Sequence, residues 1–250
     1  MQTTTVDVPT GDGVADAYLA RPDGDGPFPA VLFFTDAFGL RPAMAGMAER
    51  IAARGYVVLV PNLFYRAGRA PLIDLSTLAD ADRRGALFKQ LRPMMRALTP
   101  EVAARDSAAY LDFLARQPGV ASGPAAITGY CMGGMNALRA VEAHPDRIVA
   151  AAVFHAGRLV TDAPDSPHLA VGSVAGELYF GHAHRDPSMT AGQIATLDKA
   201  LDAAGVTYRS EVYTGAAHGY TQSDTPVYDE RAAERHWAAL FDLLDRTFRR

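Results

Sequence analysis

At 250 residues the chain is long for one domain but ordinary for a sheet with helices on both faces, so a single domain over 1–250 is expected. Hydrophobic residues make up 49% and charged residues 21%, which leaves little room for disorder and fits a globular chain with a large core. Lys and Arg number 24 against 28 Asp and Glu, a net of −4, so no basic field exists to hold a polyanion and nucleic acid is not an expected partner.

Residues 1–5 carry no basic region followed by an apolar core, and no stretch approaches the roughly 18 apolar residues of a membrane span. A cytoplasmic protein with no membrane partner is expected. The single cysteine, Cys131, cannot form an internal disulfide, which suits a reducing compartment and turns attention to the thiol itself.

Residues 3–9 and 14–21 read as a hairpin across Gly11-Asp12-Gly13. Beyond a Gly/Pro-rich loop at 22–29, strand and helix alternate, the signature of a mostly parallel sheet with crossover helices. Strands are expected at 30–35, 56–60, 125–128, 148–154, 177–181 and 207–213. Helices are expected at 43–54, 101–117, 133–144, 189–204 and 229–249, with Thr99 as N-cap and Pro100 at the first position of the second. The segment 63–98 fits the alternation least well. Its arginines, Arg84, Arg92 and Arg96 among them, interleave with Leu87, Phe88, Leu91 and Met94, a pattern of either a partly helical lid or a solvated helical face.

The strand at 125–128 runs into Gly129-Tyr130-Cys131-Met132-Gly133-Gly134 and then a helix, the setting of a nucleophile elbow. Such a turn strains the backbone of its central residue and brings strand and helix too close for side chains two positions either side, hence Gly129 and Gly133. The helix start offers unpaired N–H groups and a positive dipole end, which favour a thiolate. Glycine-rich turns of this kind also bind phosphates, but no Lys-Ser/Thr pair follows and the glycine spacing is not that of a dinucleotide fingerprint.

A nucleophile needs a base and a group that orients the base. Asp186 follows the strand at 177–181, and His218 lies in Gly215-Ala216-Ala217-His218-Gly219 after the last strand, giving the order nucleophile, acid, histidine. Every loop concerned leaves the carboxyl end of a parallel strand, so the three side chains are expected on one edge. Of the seven histidines, His144, His168 and His236 sit in structural settings, and His155 is kept as a pocket residue. His182-Ala183-His184-Arg185-Asp186 has alternating ligand types, but no third clear ligand accompanies it, so no metal and no cofactor is expected.

With these residues placed, the chain resembles the dienelactone hydrolase family of α/β-hydrolases, in which cysteine replaces the usual serine. The resemblance rests on the Cys131 turn, the Asp186 loop, Ala217-His218-Gly219 and Thr35-Asp36-Ala37-Phe38-Gly39. It implies an α/β-hydrolase fold: a mostly parallel twisted sheet, helices on both faces, an N-terminal antiparallel hairpin. It implies Cys131 as nucleophile, His218 as base, Asp186 as its partner, and the backbone N–H groups of Met132 and Ala37 as oxyanion hole. In that family a glutamate after the first core strand contacts the resting thiol; here the position holds Asp36, one methylene shorter. Members that cleave dienelactone grip a substrate carboxylate with an arginine four residues beyond the histidine, and here that residue is the neutral Gln222.

The expectation is therefore a hydrolase of a small-molecule ester or lactone, monomeric or homodimeric, working through an acyl-enzyme. Asp36, Phe38, Tyr130, Tyr220, Gln222 and Arg84 are expected around the substrate. The competing reading is a redox-sensing or ligand-binding protein that keeps the thiol on a hydrolase scaffold without turnover.

Overall fold

A computed structural model of the protein describes residues 1–77 and 81–248, with side chains described except at positions 77 and 81–84. Two compact units follow one another, Met1–Gly123 and Pro124–Arg250.

In the first unit β1 (Gln2–Thr10) and β2 (Gly13–Arg21) form the expected antiparallel hairpin, with Thr10 opposite Gly13 at the turn. The strands β3 (Ala30–Phe34) and β4 (Val57–Pro61) pair in parallel, and β2 closes against β4 antiparallel. Both β3 and β4 are buried at every position, which is why they read as unbroken apolar runs rather than alternating ones. Helix α1 (Pro42–Ala52) follows β3, and α3 (Pro100–Ala115) starts at Thr99, whose hydroxyl accepts from the Val102 N–H at 3.3 Å.

Among its described residues the segment at 63–98 carries a short 3-10 turn at Leu75–Thr77 and the helix α2 (Ala81–Arg96), with Pro93 inside it. Its C-terminal end and the turn after β4 enclose a cleft of about 260 Å³ lined by Leu63, Phe64, Ala67, Met94 and Leu98. Two arginines of the segment are committed elsewhere. Arg66 donates to Asp106 at 2.7 and 2.8 Å and to Asp12 at 2.7 and 2.9 Å, and Arg69 donates to Asp7 at 2.8 Å.

In the second unit β5 (Ala125–Tyr130), β6 (Ile148–Phe154), β7 (Glu177–Arg185) and β8 (Tyr208–Ala217) lie side by side, all parallel. Helices α4 (Met132–Ala143) and α6 (Glu230–Phe248) cover opposite faces, as two neighbouring residues show. A Cβ on Gly129 would meet Gly133 O and Ala137 of α4, whereas the hydroxyl of Tyr130, one residue on, reaches His236 of α6. Helix α5 (Ala191–Ala204) is closed at its start by a reciprocal pair between Thr190 and Gln193 and at its end by Gly205 in the left-handed conformation.

The clearest departures from the sequence reading are at β7 and β8, each four residues longer at its carboxyl end than expected. His182 pairs with Val212, Ala183 with Tyr213 and Arg185 with Ala217, so both strands run up to the residues of interest instead of handing over to loops. Position 249, included in the expected last helix, lies outside the described residues.

Candidate active site

The Cys131 turn is built as the strand-to-helix junction requires. Cys131 has φ 54° and ψ −118°, outside the regions that L-residues favour, a conformation that costs on the order of 1–3 kcal/mol and persists only where its surroundings enforce it. They do so here. Its N–H donates to Phe154 O at 3.0 Å, tying the turn to the end of β6, and its carbonyl accepts from Gly134 N at 3.1 Å. A Cβ on Gly129 would lie 2.2 Å from Gly133 O, and one on Gly134 would lie 2.7 Å from the Ala156 side chain. The second of these close approaches, against the residue just beyond β6, is absent from the sequence reading.

The structure brings the three expected side chains together, all within the second unit. His218 Nε2 stands 3.0 Å from Cys131 Sγ, and His218 Nδ1 stands 2.6 Å from Asp186 Oδ2. The other carboxylate oxygen of Asp186 accepts from the Ser188 N–H at 2.8 Å and the Ser188 hydroxyl at 2.6 Å. Both oxygens are thus used, and the carboxylate is fixed in direction. His218 itself is tethered by its N–H to Arg185 O at 3.3 Å.

Electrostatics follow from these neighbours. Burial alone draws the His218 pKa down, but the Cys131 sulfur and the Asp186 carboxylate act in the opposite sense and prevail, raising it from 6.5 to about 10. For Asp186 burial pushes up, while hydrogen bonds from His218 and Ser188 outweigh it and leave the carboxyl below its ordinary value. The arrangement favours a charged imidazolium, with Nε2 directed at the Cys131 sulfur and Nδ1 held in one orientation by the Asp186 carboxylate.

Other expected residues turn out differently. Tyr130 and Tyr220, expected to line the substrate pocket, have no exposed surface. The Tyr130 hydroxyl meets His236 Nε2 at 2.9 Å and the Tyr220 hydroxyl donates to Gly181 O at 3.0 Å, so both support the site from below instead of facing a ligand. The reason is strand alternation: Tyr130 directs its ring to the face opposite the one used at Gly129. Gln222 is buried as well. In the first unit Asp36 is spanned by Arg41, with Nη1 to Oδ1 at 2.8 Å and Nη2 to Oδ2 at 2.9 Å, and Oδ1 also accepts from Phe38 N at 2.8 Å. The sequence reading overlooked Arg41; an arginine five residues after an aspartate is too common a pattern to announce a buried pair. Ala37 is buried and Phe38 is half-buried, its ring 6.4 Å from that of Phe88. The Arg84 side chain lies outside the described residues. Met132 is the first residue of α4.

His155 is more deeply engaged than a pocket residue. It is buried, has φ 37°, and its Nε2 lies 2.8 Å from Thr221 Oγ1. No group of three or more metal-ligating side chains is found among the described residues, and none of the described helices is long and apolar enough to cross a membrane.

Parallel strands whose carboxyl ends present a cysteine elbow, a carboxylate and a histidine, in that chain order, define an α/β-hydrolase. The model of the dienelactone hydrolase family matches residues 15–248, and the chain belongs to that family. Among its relatives is the "Putative carboxymethylenebutenolidase" of Methylorubrum extorquens, 28% identical over 242 residues, covering 95% of this chain and 78% of the relative. A protein of the same name from Synechocystis is 24% identical over 247 residues, covering 98% and 96%. Among solved structures, the "Putative Dienelactone Hydrolase" of Klebsiella pneumoniae superposes with a TM-score of 0.83 at 23% identity, covering 97% of each chain, a likeness of fold. The protein is a hydrolase of dienelactone hydrolase type.

Proposed function

We propose that the protein hydrolyses a carboxylic ester or lactone through an acyl-enzyme on Cys131, with His218 as proton carrier and Asp186 as its orienting partner. The observation that supports this most directly is the continuous line from sulfur to imidazole to carboxylate, 3.0 Å and then 2.6 Å, at one end of the parallel strands.

In this reading the Cys131 thiolate attacks the carbonyl carbon. A C–S bond forms, and the carbonyl electron pair moves to oxygen. The developing oxyanion is met by the N–H of Met132, the first residue of α4, a position whose N–H has no intrahelical acceptor. Collapse of the adduct breaks the C–O bond, and the departing alkoxide takes the Nε2 proton of His218. His218, now neutral, accepts a proton from water as the water oxygen attacks the thioester. The C–S bond breaks, the acid leaves, and the thiolate–imidazolium pair is restored. A thiolate is a poor choice for expelling an amine, so esters, lactones and thioesters rank above amides. The names of the curated relatives point to a lactone of the carboxymethylenebutenolide type. That lactone carries a carboxylate, and the position at which the resemblance implies an arginine to grip it holds the neutral, buried Gln222 here, which ranks uncharged esters and lactones ahead of it.

Rapid-mixing assays with an aryl acetate test the proposal. A burst of phenol equal to the enzyme concentration is expected, lost after one equivalent of iodoacetamide and absent in Cys131→Ala. Wild-type turnover in Cys131→Ala would refute the assignment, and thiol oxidation without any turnover would favour the sensor reading instead.

A further inference from the structure

Phe154 and His155, at the end of β6, stand where the segments bearing all three proposed catalytic side chains meet. The Phe154 carbonyl accepts from Cys131 N at 3.0 Å, which fixes the nucleophile turn. The His155 N–H donates to Gly181 O at 2.8 Å, within the strand that carries Asp186 at its end. That same Gly181 carbonyl accepts the Tyr220 hydroxyl at 3.0 Å, from the turn that carries His218. The His155 ring closes the arrangement. Its Nε2 meets Thr221 Oγ1 at 2.8 Å, its ring stands in T-shaped contact with Tyr220 at 4.9 Å and with His218 itself at 5.4 Å between centroids, and the Tyr130 ring lies 6.0 Å away.

Several features show that this ring is held there for more than filling space. The backbone of His155 has φ 37°, a left-handed conformation unusual for a residue other than glycine. A phenylalanine would supply the same ring contacts, yet the chain places a buried imidazole there and keeps Nδ1 without a hydrogen-bond partner. That unfavourable burial is accepted together with one specific bond, to a buried threonine three residues after His218. Burial, reinforced by the neighbouring imidazoles of His218 and His236, holds the His155 pKa well below 6.5, so the ring stays neutral beside the charged His218.

We infer that His155 is a positioning residue for the proposed reaction: through Thr221 and its ring contact it holds the His218 turn so that His218 Nε2 faces the Cys131 sulfur. The inference rests on the reading of Cys131 and His218 given above. His155 touches neither sulfur nor substrate in this role. It acts on the register of the imidazole, and a displacement of about 1 Å in a reacting group is enough to lower a rate about 100-fold.

The test is a mutant cycle on kinetics. His155→Phe keeps the ring and removes Nε2; Thr221→Val removes its partner with little change of shape. Each is expected to lower kcat for an aryl acetate about 10- to 100-fold with KM within about threefold, and the double variant is expected to be no slower than the slower single one. His155→Gln, whose amide reaches the same position, is expected to recover most of kcat. A merely structural role would lower the melting temperature without this pattern in kcat. The inference is overturned if both single variants keep kcat within twofold, if their losses multiply in the double variant, or if Gln does no better than Phe. Its failure is separable from that of the underlying reading: wild-type activity in Cys131→Ala removes the basis of both, whereas a dead Cys131→Ala with fully active His155→Phe and Thr221→Val removes only the positioning role.

Discussion

His218 and Asp186 are joined by a single short contact, Nδ1 to Oδ2 at 2.6 Å, and the second oxygen of Asp186 is already occupied by Ser188. The carboxylate therefore does two things at once: it fixes the imidazole tautomer with the proton on Nδ1 and favours the charged ring. Replacing it by an amide keeps the shape but offers an N–H where an acceptor is needed. Asp186→Asn is expected to lower kcat for an aryl ester by about 100- to 10,000-fold with a much smaller change in KM. Steady-state kinetics check this; a loss under threefold would mean that Asp186 does not orient the base.

With His218 as the proposed proton donor, its pKa, raised to about 10, is expected to set the alkaline side of the pH profile. A histidine free of such partners would lose its proton near 6.5, and an imidazolium acid would then be largely gone at pH 8. Here kcat/KM is expected to hold through pH 8 and fall only as pH approaches about 10. The same shift bears on stability. Because the folded-state pKa lies above the unfolded one, the contribution is fully present below about 6.5, and it is lost as pH rises through about 10. Urea unfolding at several pH values should show this loss in the wild type and a weaker one in His218→Gln. A kcat/KM profile already falling near pH 7 would contradict the assignment of His218 as proton donor.

Much of this site was legible in the chain because its parts obey local rules. The Cys131 elbow is announced by glycines where strand and helix must touch, and Asp186 and His218 follow strands, so a parallel sheet carries them to one edge. The misreadings have physical causes too. His182-Ala183-His184-Arg185 looks too polar to continue a strand, yet β7 continues through it because β8 pairs alongside. Tyr130 and Tyr220 read as pocket residues from their nearness in sequence to Cys131 and His218, whereas a strand sends neighbours to opposite faces and a tight turn folds one of them inward. The partners of His155 and Arg41 are set by long-range or irregular geometry, which no periodicity records.

Gly157 offers a test of how closely the Asp186 loop is fitted to its neighbour. A Cβ at this position would lie 2.1 Å from the Ser188 hydroxyl oxygen and 2.8 Å from Ser188 Cβ. Ser188 anchors Asp186, and its carbonyl also accepts Arg158 N at 2.9 Å, so the loop cannot yield without moving the carboxylate. Gly157→Ala is expected to lower kcat about tenfold or more while the protein remains folded. Adding Ser188→Gly removes the obstructing atoms and is expected to restore part of the loss. Circular dichroism alongside kinetics distinguishes this from unfolding, and equal activity of Gly157→Ala and wild type would show that the loop adapts freely.

The pair Asp36–Arg41 sets a different expectation, for stability. The two side chains are 2% and 5% exposed and meet through two parallel hydrogen bonds of 2.8 and 2.9 Å. Two charges so far from water are costly to bury, and the paired hydrogen bonds between them offset part of that cost, so removing one side chain weakens the setting of the other. Asp36→Ala is expected to lower the unfolding free energy by about 3–5 kcal/mol, and Arg41→Ala by a similar amount, as read from urea midpoints at constant slope. Replacing both, as in Asp36→Leu with Arg41→Met, is expected to lie closer to the wild type than either single alanine variant, because both charges leave the interior together. Additive losses in the double variant would mean that each side chain is held by its own separate contacts and that the pair is not the unit of stability.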